Sequence, residues 1–587
     1  MRLVVFALLV VVVAPAAAQP CEVVPVWRDG KHVGDVCRAE APSKGLTVVE
    51  LGDTWTPLVL DGTAYQPTYL LLAAERFAAA TSESLASRDR YLELFGIEPT
   101  LRVVRARLAD DVRHRCHEAI DDTALEASGK LDEDPVPYAL ARITHTRELR
   151  RELERERVAA DLDDLDALAE TDASHARAVA ALEASEQHLA TVRAVQAHLA
   201  CDGLFLTAPI EGAFTWQTTG ALATFQRGQM ILPTGSLDLA TRDALTRGSR
   251  ERDFRTALRV LRERVRAATG LVEDGTAGSG PALVLDRRLD ADETLIVRGH
   301  LPLPGAAPDL ISPATEAAAR ALGWTDPAAT RAFLDALYSR ETRTRSVALR
   351  LPAPPGYHGP MMQLSVEIDR GDVWRDPAPR VHEAGRRPAL ILYATAKGRR
   401  IALVRWPTTV GGWQDQQSAE GVLQQWKDSP AGPRLWRDLY VMPRWLPPLS
   451  TPDEELVRRS DAGTAVLARE VFGPSYRGAF GLVAFVHHDR DFDEEGILTH
   501  GTGNLASVAR GTSHGCHRLL GLMSLRLADF VLAHHIVVRR GDQPATYRRD
   551  VHADEETFPV EIDTLGERLE LVPPIPVVVL PGRVHRW

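Results

Sequence analysis

The sequence predicts a multidomain α+β chain: a helical N-terminal region that ends in a small three-helix module, then a mainly β C-terminal domain. Three observations predict it. Across residues 66–198 apolar positions recur among dense charge, as in RELRRELERERVAADLDDLD, which is how long helices with one buried stripe read. From residue 363 onward, short alternating runs such as QLSVEID are separated by Gly-containing turns and read as strands. The last cysteine stands in a Gly/Ser-rich turn between a β segment and a helix. With 587 residues, 45% hydrophobic and 25% charged, the chain has enough apolar side chains for several cores. A net charge of -11 argues against a nucleic-acid partner, which favours a basic face.

Residues 1–18 join one early arginine, an apolar run and small residues ending Ala16-Ala17-Ala18, which predicts a signal peptide cleaved before Gln19. The run is short for a bilayer span, and Pro20 before Cys21 does not suit a lipid-attachment site. No later stretch has the length and apolarity of a transmembrane helix, so the expectation is an exported, periplasmic protein with no membrane span. Residues 19–65 place Cys21 and Cys37 on either side of the turn dipeptide Asp29-Gly30 and predict a small disulfide-linked β segment. Cys116 and Cys201 lie in helical patterns. An oxidising compartment lets these four form two bridges. Three pairings are open, and proximity favours Cys21–Cys37 with Cys116–Cys201; four reduced thiols are the alternative. Cys516 is left odd.

Residues 66–194 form a charged helical region. Leu149, Leu153, Val158, Leu162, Leu165 and Leu168 make its apolar stripe, and the irregular heptad favours a helical hairpin over a dimeric coiled coil. The charges read as a solvated face, and KLDEDPVP at 130–137 breaks the helices. No chemistry is expected there. Residues 195–248 change character. Val195-Gln196, Leu199, Gly203, Gly212-Ala213-Phe214, Thr218, Ala221, Phe225-Gln226, Leu232-Pro233, Gly235 and Thr241 together resemble a small three-helix peptidoglycan-binding domain, with Glu211-Gly212 where Asp-Gly is usual. The alternative is a helical spacer without a ligand. Residues 249–360 are expected to be a helical connector, with a Gly/Pro-rich insert and two short helices around Gly323-Trp324.

Residues 361–545 are expected to form the β-rich domain. Gln363–Asp369 reads as a strand, and the runs on either side of Lys397-Gly398 read as a hairpin. A Gly-containing turn follows at Val410-Gly411-Gly412, then LYVMPRWLPP, a helical insert over 451–470, a helix over 522–534 and a strand over 536–540. Residues 546–587 are a tail with two strand-like runs and no expected role.

Residues 500–518 read HGTGNLASVARGTSHGCHR. A nucleophilic cysteine needs a base, donors for an oxyanion and backbone that the substrate can approach. His500 or His514 offers the base, Gly515 the approach, and Arg518 a partner for an anionic group. The His-Gly-Thr followed by Ser-His-Gly-Cys-x-Arg resembles the signature of L,D-transpeptidases with a YkuD-type catalytic domain. The position after the cysteine is usually aliphatic there but is His517 here, and the interval between the motifs is short.

The resemblance implies a cysteine-dependent acyltransferase acting on peptidoglycan stem peptides, with Cys516 as nucleophile and His500 as base. It implies that the Gly501 carbonyl orients His500 and that His514, with the N–H groups of Gly515 and Cys516, lines the oxyanion site. Arg518, Ser513 and Thr502 are expected on the substrate side, Arg518 holding a carboxylate. It also implies acylation by carbapenems and no cofactor. His500, His514, Cys516 and His517 are all metal-ligand types, which makes zinc an alternative, but the second pair of a structural zinc site is missing. A carboxypeptidase or endopeptidase with the same cysteine, and an inactive cell-wall scaffold, are the alternative functions.

Overall fold

The computed structural model describes residues 21–53, 55–63, 97–98, 100–205, 207–289, 297, 299–339, 345–374, 385–418, 421–459, 464–475, 477–510 and 513–585. The expected signal peptide and the first part of the helical region lie outside them. Strands Val23–Arg28 and Lys31–Cys37 form the expected hairpin. Its turn residues Asp29 and Gly30 both have positive φ, 48° and 72°, the geometry that matches strand twist. Cys21 and Cys37 are bridged at its open end. The hairpin belongs to a four-stranded sheet with Ser346–Leu349 and Thr47–Glu50. The expected N-terminal segment and the end of the expected connector are therefore one unit, joined by a strand buried at all four positions.

Helices Val136–Ala159 and Ala173–Cys201 run as a hairpin. Leu153, Leu168, Val179 and Leu182 meet in its core, flanked by Leu149, Leu162 and Leu165. Val158 is 65% exposed; five residues separate it from Leu153, which turns it off the stripe. The second disulfide, Cys116–Cys201, ties helix Asp111–Glu118 to the end of the long helix. The small module uses that end with helices Trp216–Gly228 and Leu239–Thr246, packed on Val192, Val195, Leu199, Phe214, Leu222, Phe225, Leu237 and Leu245.

Two buried glutamines repeat one device within the module. Gln196 accepts from the Gly212 N–H at 3.0 Å and donates to Ile210 O, Ala213 O and Thr218 Oγ1. Gln226 accepts from the Gly235 N–H at 2.8 Å and donates to Ser236 O and Thr241 Oγ1. Each satisfies backbone groups of a buried loop. Gly235 sits at φ +74°, and a Cβ there would lie 2.9 Å from Thr219 O. Leu125, from outside the module, is fully buried in the same core.

The C-terminal part is a nine-stranded sheet. Its order is His517–Leu520, Glu494–Thr502, Val483–His488, Gly432–Val441, Glu556–Val579, Gln363–Asp369, Ala389–Ala396, Arg399–Pro407, with Ile536–Ala553 paired to Glu556–Val579. The expected tail is thus the middle of the sheet. The boundary at 545 falls inside a strand, because Ile536–Ala553 and Glu556–Val579 form one long ribbon. The insert over 451–470 is not the expected helix. Its described residues hold a short turn at Asp453–Glu455 and the strand pair Val457–Arg459 and Ala465–Leu467, with helix only from Arg469, in Arg469–Phe472. Its Leu456 and Leu467 pack on Val551, Val560 and Ile562 of the ribbon.

One apolar core is continuous from Leu101 and Phe254 through Ile311 and Leu334 to Trp406, Phe485 and Leu527. The connector also covers the outer strand. Thr276 Oγ1 accepts the Arg405 N–H at 3.1 Å, and the Ala307 N–H donates to Ala402 O at 2.9 Å. Covering an edge in this way blocks strand addition.

Candidate functional site

Two parallel strands build the site. Glu494–Thr502 pairs with His517–Leu520 so that His500 faces Arg518 and Thr499 faces His517. Because side chains alternate across a strand, His500, Arg518 and the preceding Cys516 share one face of the sheet, with Thr499 and His517 on the other. The motif halves meet only through this parallel pairing. Helix Leu505–Arg510 lies in the connection between the two strands.

His500 is buried, and its Nδ1 lies 2.7 Å from Gly501 O. A carbonyl only accepts, so Nδ1 carries the proton and Nε2 keeps its lone pair. The Phe480 ring meets His500 edge to face at 5.0 Å. Burial, with the neighbouring Arg518 charge, lowers the His500 pKa to about 3. The half-buried Cys516 is the only free cysteine among the described residues, and burial raises its pKa despite the Arg518 charge and a backbone bond at Leu498. Both groups are therefore neutral near pH 7. Among the described residues no hydrogen bond joins Cys516 Sγ to His500.

The turn before the strand is held by hydroxyls. Ser513 Oγ donates to Cys516 O at 2.7 Å and accepts the Gly515 N–H at 3.1 Å. Thr409 Oγ1 donates to Cys516 O at 2.6 Å and accepts the Arg518 N–H at 2.9 Å. Thr408 Oγ1 donates to Arg518 O at 3.0 Å. Gly515 has φ +115° and lies against Asp428, a conformation that L side chains avoid.

Four of the expected site residues therefore gather at one place: Cys516, His500, Gly501 and Arg518. His514 is exposed beside them; partial burial and the Arg518 and Lys427 charges lower its pKa. Three expected roles look different in the structure. The Gly515 N–H is already bonded to Ser513 and does not point at a vacant oxyanion position. Ser513 is 1% exposed and its hydroxyl is engaged in the turn. Thr502 is 3% exposed, and its Oγ1 accepts the Asn504 N–H at 3.0 Å. Buried hydroxyls take backbone partners first, so both shape the loop.

His517, unexpected after a cysteine of this motif, enters a buried polar chain on the opposite face. Arg434 donates to Ser429 Oγ at 2.7 Å, and Ser429 Oγ lies 2.9 Å from His517 Nε2. His517 Nδ1 and His487 Nε2 both approach Thr499 Oγ1, at 3.3 and 2.8 Å. Trp436 Nε1 donates to His487 Nε2 at 3.0 Å. Burial, then the surrounding positive charge, lowers both histidine pKa values well below the usual value. The sequence reading missed Thr408, Thr409, Ser429, Arg434 and His487. The only signals were the Thr pair before Val410-Gly411-Gly412 and the His pair closing an apolar strand.

Among the described residues no group of three or more His, Cys, Asp or Glu side chains is arranged to hold a metal ion. No described helix is long and apolar enough to cross a membrane. Residues 189–245 match the family model described as "Putative peptidoglycan binding domain", which supports peptidoglycan as a partner of this chain. The match begins six residues before the expected start at 195 and ends with the third helix. No curated protein matches the chain. The module and the two disulfides are compatible with a place outside the cytoplasm.

Proposed function

We propose that this protein is an exported cell-wall enzyme, a cysteine-dependent L,D-transpeptidase whose three-helix module holds it on peptidoglycan. The observation that carries the reading is the parallel pairing that sets His500 opposite Arg518 with Cys516 on the same face, together with the Gly501 carbonyl that leaves His500 Nε2 unprotonated.

In this reading the Cys516 thiol adds to the carbonyl between the L- and D-centres of a donor stem peptide as its proton passes to His500 Nε2. The tetrahedral oxyanion then collapses, and the terminal D-residue leaves as an amine that takes the proton back. An acceptor amine attacks the resulting thioester, losing a proton to His500 and restoring the thiol. The resting groups are both neutral, so base assistance during attack fits better than a preformed ion pair, and such assistance is worth about 10²- to 10⁴-fold. Arg518, beside Cys516, supplies positive charge for a substrate carboxylate.

The test is intact-mass analysis after exposure to a carbapenem and, separately, to tetrapeptide muropeptides. The expected result is one covalent adduct on the peptide containing residues 513–518, lost in Cys516→Ala, with new cross-linked or exchanged stems. A folded protein with a free Cys516 and no adduct would leave only the wall-binding scaffold. Release of the D-residue to water without transfer would make it a carboxypeptidase.

A further inference from the structure

The segment at 130–137 does more than separate two helices. Leu131 and Leu237 exchange both main-chain hydrogen bonds, at 3.0 and 2.8 Å, in one isolated antiparallel bridge. The next two carboxylates are each met by a module hydroxyl. Ser236 Oγ donates to Asp132 Oδ1 at 2.6 Å, and Thr219 Oγ1 donates to Glu133 Oε2 at 2.8 Å. The Asp134 N–H then donates to Phe214 O at 2.9 Å.

Core formation explains only part of these contacts: Leu131 is half-buried against the module core, but the carboxylates that follow it are not part of that core. Leu125, six residues before Leu131, is fully buried and anchors the segment, whereas Asp132 and Glu133 are exposed. The exposed part of the contact has the pattern of peptide recognition: main-chain pairing sets the register, and side-chain groups read the ligand. The receiving edge is built in advance. Gln226 fixes the loop through the Gly235 N–H, and Gly235 lies close against the Thr219 backbone.

We infer that the module edge formed by Thr219, Ser236 and Leu237 is a binding site for an extended, carboxylate-bearing peptide, with residues 131–134 as its internal occupant. On the wall-binding reading above, the ligand that displaces this occupant is the acidic stem peptide of peptidoglycan. An internal competitor lowers apparent affinity by the fraction of molecules in which the edge is open, so releasing it strengthens binding.

The experiment uses the full exported chain with Asp132→Ala/Glu133→Ala and, separately, Leu131→Pro, which removes the N–H given to Leu237 O. Two probes are used: a labelled synthetic peptide of residues 129–136, and purified sacculi. Both variants are expected to bind the peptide and to co-sediment with sacculi about tenfold more tightly than the parent, with the peptide competing for sacculi. Variants that take the peptide but ignore sacculi would uphold the edge as a peptide site and remove the wall as its ligand. Variants with parental circular dichroism and melting that bind the peptide no better than the parent would overturn the inference. So would tighter sacculus binding that the peptide does not compete.

Discussion

Thr409 governs the backbone on both sides of His517. Its hydroxyl donates to Cys516 O and accepts the Arg518 N–H, so Thr409→Val keeps the shape and removes both bonds. Misplacing a reacting group by about 1 Å costs about 10²-fold. The expected fall in carbapenem acylation rate is about 10- to 100-fold, with Thr409→Ser near the parent; equal rates for parent and valine variant would discard the positioning role. His500 makes a second prediction. Its pKa is lowered to about 3, so the free base is present at every pH above that value and is lost only below it. Acylation should show no acidic limb near pH 6.5, and such a limb, abolished in His500→Ala, would contradict the assigned environment. The residues that line this face were legible in the sequence because they are nearly contiguous. Thr409 was not, since 107 residues separate it from Cys516 and it follows Arg399–Pro407, at the opposite end of the strand order from His517–Leu520.

Gln226 is to the module what Thr409 is to the cysteine turn. Gln226→Ala would leave the Gly235 N–H and the Ser236 carbonyl without their buried partner, which costs about 2–4 kcal/mol in total. A lowered first melting transition and weaker sacculus binding are expected together; unchanged melting would mean that the loop finds other partners. Helices with a clear apolar period and hairpins with Asp-Gly or Lys-Gly turns were legible, since local geometry decides them. The ribbon Ile536–Ala553 and Glu556–Val579 was legible only as short strand-like runs, not in its length or its place in the middle of the sheet. Its inner strand carries Pro573, Pro574 and Pro576, which argue against a central strand, and long-range pairing with Gly432–Val441 overrides them. The contact of residues 131–134 was hidden for a related reason. A Pro-containing acidic break looks like a linker until its partner Leu237 is known.

At the scale of the molecule, helix Ser249–Thr269 leaves the module and enters the core of the C-terminal part. Glu263 binds Arg526 and Arg266, and Arg266 Nη2 lies 2.8 Å from Asp529. Burial raises the Glu263 pKa, but the Arg526 and Arg266 charges outweigh it and hold it at about 2. Its contribution is therefore present above the ordinary carboxylate range and lost as the pH falls toward 2. Removing one member of a buried pair costs about 3–5 kcal/mol, so Glu263→Gln should lower the urea midpoint markedly at pH 7, and an unchanged midpoint would show the network to be dispensable. The Cys116–Cys201 bridge has a different consequence. It closes 85 residues of chain, including the exposed turn at 160–164 between the charged helices. A protease that cuts this turn breaks the polypeptide without parting the pieces. The nicked molecule should migrate as one species without reductant and as two with it, so that the thread of the sequence and the mechanical continuity of the molecule follow different routes.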